Sequence, residues 1–107
     1  MELPFDEIFF KAALTGGNIV WRKHVLEKMI SRGISRYEVL AVMQFGEVVQ
    51  TYGHDKPFPS VLLLGFPDSR PIHVVTSFDN DEGLVFVITT YEPDLNIFED
   101  NLKTRRK

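Results

Sequence analysis

The amino-acid sequence predicts an α+β fold in which N-terminal helices pack on a four-stranded antiparallel sheet. In the first half of the chain, apolar residues recur every three or four positions, which is the period of a helix. Beyond Gly46 they form four short runs separated by turn residues, which is typical of strands. Because helices precede strands and do not alternate with them, we expect one helical layer and one sheet. A length of 107 residues fits a single domain.

Two helices are predicted before residue 34. The first helix spans residues 5–14 and ends at a pair of glycines. Residues 1–17, which contain it, are expected to form a peripheral segment of the domain. Its predicted apolar face consists of Phe5, Ile8, Phe9, Ala12 and Ala13. Residues 18–21 could extend as a small strand before the second helix, which starts at His24 and ends at Gly33.

The third helix has the clearest start signal. Ser35 and Glu38 have the spacing of a capping box, in which the serine hydroxyl accepts from the Glu38 amide and the Glu38 carboxylate accepts from the Ser35 amide. Apolar residues continue at helical spacing as far as Phe45, and Gly46 ends the helix.

Four strands are predicted after the helices, at residues 47–52, 60–66, 71–78 and 84–91. Their short connections favour an antiparallel meander. Pro93 cannot donate to a further ladder, so a short helix or turn is expected near residue 97. Residues 18–98 are then the core of the domain, and residues 99–107 form a charged tail.

Strand alternation divides the sheet residues between two faces. We expect the helices to cover the face that carries Ile72, Val74, Leu84, Phe86 and Ile88. The opposite, open face is then expected to carry His73, Ser77, Thr89 and Tyr91, although this grouping depends on the register.

Composition excludes several classes of protein. There is no apolar run long enough to span a bilayer, so no membrane span is expected, and the N-terminus has acidic residues where a secretory leader has basic ones. The absence of cysteine excludes disulfides and thiolate zinc sites and fits a cytoplasmic protein. The three histidines lie on separate elements without metal-ligand spacing, and no phosphate-binding loop is present. We therefore expect no metal and no cofactor.

The net charge of −3 argues against nonspecific nucleic-acid binding, and no DNA binding is predicted. Basic residues are nevertheless concentrated between residues 22 and 36, where five of them accompany a single acid. A solvated helix face explains this run as well as RNA binding does. The candidate RNA contacts are Arg22, Lys23, Lys28, Arg36, Tyr52 and Arg70.

Histidine, arginine and tyrosine suffice for metal-independent RNA cleavage, in which the 2'-hydroxyl attacks the adjacent phosphate. His24 or His73 could act as base or acid. Arg32 or Arg70 could hold the phosphate, and Tyr52 or Tyr91 could act as an acid or stack on a base. Structural explanations stay open, because His24 could simply begin a helix, Arg32 could bond helix-end carbonyls, His73 could be a satisfied core histidine and Tyr91 a packing aromatic.

The order of these residues resembles a known family. The matching elements are His24, Arg32-Gly33-Ile34, Gly46-Glu47-Val48, Tyr52, Arg70-Pro71-Ile72-His73 and Ile88-Thr89-Thr90-Tyr91-Glu92-Pro93-Asp94. Across residues 18–98 the chain resembles a bacterial domain of unknown function grouped with the RelE, ParE and BrnT toxins. It is similar in genetic setting to MqsR-type toxins, which often neighbour a zinc-finger antitoxin.

This resemblance implies a toxin that cleaves messenger RNA, free or at the ribosome, and whose partner is a cognate antitoxin. It favours His24, Arg32, His73 and Tyr91 as catalytic candidates. The alternative is a non-catalytic protein-binding module of the same fold, because the predicted strands supply few basic side chains beyond Arg70.

Overall fold

Three helices lie on one face of a five-stranded sheet in a computed structural model, which describes residues 2–107. The helices are α1 (Glu7–Thr15), α2 (Lys23–Arg32) and α3 (Arg36–Phe45). The strands are β1 (Ile19–Val20), β2 (Glu47–Tyr52), β3 (Ser60–Gly65), β4 (Ile72–Asp79) and β5 (Leu84–Tyr91). A 3-10 turn at Pro67–Ser69 joins β3 to β4. Within residues 2–107, none of the helices has the length and apolar character needed to cross a membrane.

The sheet is mixed, with the strand order β1-β5-β4-β3-β2. The α+β class is confirmed, but the prediction of a four-stranded antiparallel sheet is wrong, because β1 adds a fifth strand parallel to β5. Ile19 pairs with Val85 and Val20 with Phe86. A strand of two residues shows no alternation, so its pairing at the sheet edge leaves little trace in the sequence.

The first helix buries a different face from the predicted one. Its N-cap, Asp6, accepts a hydrogen bond from the Phe9 amide at 2.9 Å. Its buried residues are Phe10, Ala13 and Leu14, whereas Ile8 is 83% exposed. The predicted face is therefore wrong at Ile8 and at Ala12, which is also exposed, since the helix is rotated to pack Phe10 edge-on against Phe78 of β4.

The predicted capping box of α3 is confirmed. Ser35 Oγ accepts from the Glu38 amide at 3.1 Å, and Glu38 Oε1 accepts from the Ser35 amide at 3.0 Å. Gly33, at a φ of 65°, ends α2 in the left-handed conformation that favours glycine. Gly33 and the capping box thus define the short connection between α2 and α3.

A bulge in β5 decides which residues of that strand face the helices. Thr76 pairs with Val87 while Val75 pairs with Thr89, which leaves Ile88 as the extra residue. The expectation that Ile72 and Val74 face the helices is confirmed. It is wrong for Leu84, Phe86 and Ile88, because the buried core instead takes its β5 residues from Val85 and Val87.

The open face of the sheet is partly covered by the end of the chain. Residues 95–107, here called the C-terminal strap, turn back through a bridge between Phe98 and Arg105. Phe98 is 3% exposed and meets the His73 ring edge-on at 4.8 Å between centroids. An ion pair of 3.3 Å between Lys103 and Glu47 of β2 holds the strap at the sheet edge. The segment predicted as a charged tail is therefore part of the packed structure.

Gly65 of β3 lies directly against Val42 of α3. A Cβ atom there would lie 2.9 Å from Val42 Cγ2 and 3.2 Å from Val42 Cα. We expect Gly65→Ala to lower the free energy of unfolding by about 1–3 kcal/mol, measured by urea denaturation, because the helix would have to move. Gly53→Ala is the control, since its Cβ would meet only Pro4 Cβ, at 4.0 Å. Equal stability of the two variants would contradict this close packing.

Candidate functional site

A histidine and a tyrosine face each other across two strands of the open face. The register of β4 and β5 pairs His73 with Tyr91, and His73 Nδ1 lies 3.3 Å from Tyr91 Oη. His73 Nε2 lies 2.8 Å from the carbonyl oxygen of Leu102 in the strap. Because a carbonyl can only accept, Nε2 carries the ring proton, and the unprotonated Nδ1 accepts from the Tyr91 hydroxyl. The result is a chain of two hydrogen bonds, in which Tyr91 donates to His73 and His73 donates to the Leu102 carbonyl.

Both groups of this pair are kept uncharged. Burial lowers the pKa of the fully buried His73 imidazole, the hydrogen bond to the Leu102 carbonyl opposes this shift, and Arg105 lowers the pKa further. Burial raises the pKa of the half-buried Tyr91 phenol, and Tyr52 adds to the rise, whereas Arg105 and Arg32 oppose it. At neutral pH the pair is therefore a neutral imidazole beside a protonated phenol.

The positive charges of two arginines, Arg105 and Arg32, act on the Tyr91 phenol. Arg32, in the last turn of α2, donates from Nη1 to the carbonyl of Thr90 at 2.8 Å. This bond uses one of the five N–H groups of an exposed guanidinium. Arg105 of the strap is exposed and lies over the Phe98 ring, with its guanidinium carbon 5.3 Å from the ring centroid. Arg105 lines a cleft together with Tyr91, Glu92 and Asp94, and Arg32 lies beside this region at the Thr90 carbonyl.

Two clefts open on either side of the strap, and Phe98 and Arg105 line both. The first has a volume of about 310 Å³ and includes Tyr91. The second has a volume of about 510 Å³ and includes Tyr52 and Lys103. We call Tyr91, His73, Arg32, Arg105 and the two clefts the Tyr91 site.

His24 does not join the Tyr91 site. It is exposed at the start of α2, eight residues and about 12 Å along the helix from Arg32. There it lines a separate pocket with Ser77 and Phe86. The structure thus brings His73 and Tyr91 into contact, places Arg32 at the carbonyl of Thr90 and leaves His24 in a second concavity.

Two of the predicted RNA contacts belong to the open face. Tyr52 is 37% exposed and lines the larger cleft of the Tyr91 site. Arg22 lies over the Phe86 ring, with its guanidinium carbon 5.7 Å from the ring centroid, in the pocket that also contains His24.

The other predicted RNA contacts have positions away from these concavities. Lys23 and Lys28 are exposed on α2, and Lys23 lies 3.9 Å from Glu27. Arg36 lies over the ring of Trp21. Arg70 pairs with Glu38 at 2.8 Å and donates to the Gly33 carbonyl, so it joins the β3–β4 connection to the start of α3.

The strap supplies site residues that sequence reasoning missed. Leu102 contributes a main-chain carbonyl, which no side-chain pattern can reveal. Arg105 and Lys103 belong to a basic cluster at the C-terminus that is visible in the sequence. That cluster gives no indication that the segment folds back on the sheet. Across residues 2–107, no three His, Asp or Glu side chains gather where they could hold a metal ion.

A family model described as a domain of unknown function, DUF4258, matches residues 21–92. The chain belongs to the DUF4258 family. No curated protein and no solved structure matches it. The DUF4258 region includes α2, α3 and the strands β2 to β5, and with them His24, Arg32, His73 and Tyr91. The helix α1 and the strap lie outside it. His73 therefore has one hydrogen-bond partner inside the DUF4258 region, Tyr91, and one outside it, Leu102.

The buried His73 predicts a dependence of stability on pH. Its pKa is lowered on folding, so below pH 6.5, the usual value, the unfolded chain binds a proton that the folded chain binds less readily. The free energy of unfolding should therefore fall as the pH drops from 6.5 towards the lowered pKa of the folded state. We expect His73→Asn to reduce this slope, measured by urea denaturation between about pH 5 and 7.5.

The matched control is His54→Asn, which changes an exposed histidine in the β2–β3 turn. This variant should keep the slope of the unmodified chain. If His73→Asn and His54→Asn altered the slope equally, the buried, neutral state of His73 would be contradicted.

Proposed function

We propose that this chain is a metal-independent endoribonuclease that cleaves messenger RNA, and that it is the toxin of a toxin–antitoxin pair. The observation that carries the proposal is the Tyr91 hydroxyl, which is held against the unprotonated nitrogen of His73 and shares a cleft with Arg105. A hydroxyl that donates to an imidazole turns its lone pairs outward, where they can accept a proton from a substrate.

The chemistry follows from this orientation. The 2'-hydroxyl of the RNA attacks the adjacent phosphorus and gives its proton to Tyr91 Oη, while the Tyr91 proton moves to His73 Nδ1. The Leu102 carbonyl stabilises the resulting imidazolium through the Nε2–H bond. The 5'-oxygen leaves and takes a proton from water, and the hydroxide so formed takes a proton from Tyr91 Oη, which recovers its own from His73 Nδ1. His73 is fully buried, so it acts through Tyr91 and does not touch the RNA.

The 3.3 Å separation of Tyr91 Oη from His73 Nδ1 is long for a hydrogen bond between these atoms. Catalytic hydrogen bonds are often long without substrate and shorten in the complex. Arg32 and Arg105 would stabilise the charge that develops on the phosphate. Tyr52 and Lys103, in the larger cleft, add an aromatic surface and a cation for the flanking nucleotides.

An exposed aromatic surface supports the part of the proposal that concerns an antitoxin. Phe45 at the end of α3 is 86% exposed, and Phe66 after β3 is 58% exposed. Both line one cleft with Gly46 and Gly65, so the two rings belong to one patch, the α3 surface. Contiguous exposed aromatic side chains mark protein-binding sites more often than single ones do. An antitoxin that covered this patch would leave the open sheet face accessible to RNA.

A second candidate function is the non-catalytic protein-binding module. It is favoured by the complete burial of His73, with both ring nitrogens engaged inside the chain. In that function the Tyr91–His73–Leu102 chain only fastens the strap to the sheet, and the α3 surface carries the binding.

Tyr91→Phe, which removes only the hydroxyl oxygen of Tyr91, distinguishes the endoribonuclease from the binding module. We expect induced expression of the unmodified chain in a bacterium to slow growth and cleave transcripts. Tyr91→Phe should reduce the cleavage rate of the purified protein by about 10²- to 10⁴-fold, because it removes the proton-accepting oxygen and keeps the ring. Cleavage would be measured on labelled RNA with EDTA present, with and without ribosomes.

Tyr37→Phe is the matched control, since Tyr37 is 67% exposed on α3 and outside the Tyr91 site. It should cleave at the unmodified rate. If the unmodified chain neither slows growth nor cuts RNA under either condition, the endoribonuclease proposal fails and the binding module stands. Cleavage that survives Tyr91→Phe would overturn the assignment of Tyr91.

A further inference from the structure

A second concavity of the open face lies near the opposite end of β4 from His73. It has a volume of about 270 Å³ and is lined by Arg22, His24, Phe58, Ser77 and Phe86, among others. We call it the Phe58 pocket. Ser77 is four residues from His73 on β4, so the two sites are about 13 Å apart along the strand.

The Phe58 pocket contains stacked aromatic rings. The rings of Phe58 and Phe86 are nearly parallel, at 13°, with centroids 5.4 Å apart. Both side chains are only half-buried, and the Arg22 guanidinium lies over Phe86. Aromatic faces beside a guanidinium plane are the surfaces on which proteins stack single nucleobases.

Ser77 gives this apolar pocket a polar group. The residue is 6% exposed and lines the pocket. A serine hydroxyl can both donate and accept a hydrogen bond. A ligand with a polar edge, such as a nucleobase, could therefore bond to Ser77.

The mouth of the Phe58 pocket carries the positive charge of Arg22. Arg22 and His24 are both exposed there, and the His24 imidazole adds an N–H donor. A phosphate group attached to a stacked base would therefore meet positive charge.

We propose that the Phe58 pocket binds one nucleoside monophosphate unit, with its base on Phe58 and Phe86 and its phosphate at Arg22 and His24. The volume lies just below the usual range for small-molecule pockets, about 300–1,000 Å³, and fits a single nucleotide unit. The same chemistry is offered by a free nucleotide and by one unit of a single-stranded RNA. The inference is independent of whether Tyr91 cleaves RNA, because it concerns binding alone.

The test is an NMR titration of the full-length, ¹⁵N-labelled chain with AMP, CMP, GMP and UMP, with a short oligoribonucleotide, and with ribose 5-phosphate. Nucleotides should shift the amide signals of residues 22–24, 58 and 86–88. Phe58→Leu and Phe86→Leu should each weaken nucleotide binding at least about fivefold, because they remove a stacking face. They should leave the weaker binding of ribose 5-phosphate unchanged.

Arg22→Gln should weaken the binding of nucleotides and of ribose 5-phosphate alike. Lys107→Gln is its control, since it removes the same charge from an exposed residue outside the pocket and should leave both affinities unchanged. Thermal denaturation of each variant would identify any loss of folding.

Binding of the mononucleotides assigns the pocket to free nucleotides, and binding of the oligoribonucleotide alone assigns it to an RNA chain. Both results support the proposal. Unchanged signals with all of these ligands overturn it. Ribose 5-phosphate binding as tightly as the nucleotides would also overturn it, because the pocket would then recognise only an anion.

Discussion

The bulge at Ile88 is the constraint on which the open face depends. Side chains on a regular strand alternate, so Val85, Val87, Thr89 and Tyr91 would otherwise share one face. One extra residue reverses the alternation after Val87. Val85 and Val87 then face the helices, while Tyr91 emerges opposite His73 on the other side. Without the bulge, β5 could supply either the core valines or the tyrosine, but not both.

The strap gives the His73 imidazole its defined state. A buried imidazole is costly unless both ring nitrogens have partners, and Tyr91 supplies only one. The second partner, the Leu102 carbonyl, comes from a segment outside the DUF4258 region and fixes the proton on Nε2. The orientation of the Tyr91 hydroxyl therefore depends on a main-chain atom 11 residues further along the chain. Any displacement of the strap would expose the imidazole to water and release this orientation.

The sequence predicted most of the elements because their signals are local. The capping box of Ser35 and Glu38, the glycine at residue 33 and the four apolar runs each act over a few residues. The signals that failed act over long distances. The partners of β1, the bulge opposite Val75 and the fold-back of the strap are each decided by residues far along the chain. The same difference explains the candidate site, where His73 and Tyr91 were visible as residue types and Leu102 was not.

Counting basic residues on the strands gives a misleading picture of the charge on the open face. The strands contribute aromatic, aliphatic and hydroxyl side chains there, such as Tyr52, Phe86 and Ser77. The cations come from segments at the perimeter: Arg22 before α2, Arg32 at the end of α2 and Arg105 in the strap. A chain with a net charge of −3 can thus hold positive groups around an apolar, aromatic centre. For the RNA that we propose as ligand, this distribution favours a single strand over a duplex, because stacking needs bases that are free to turn onto the aromatic rings.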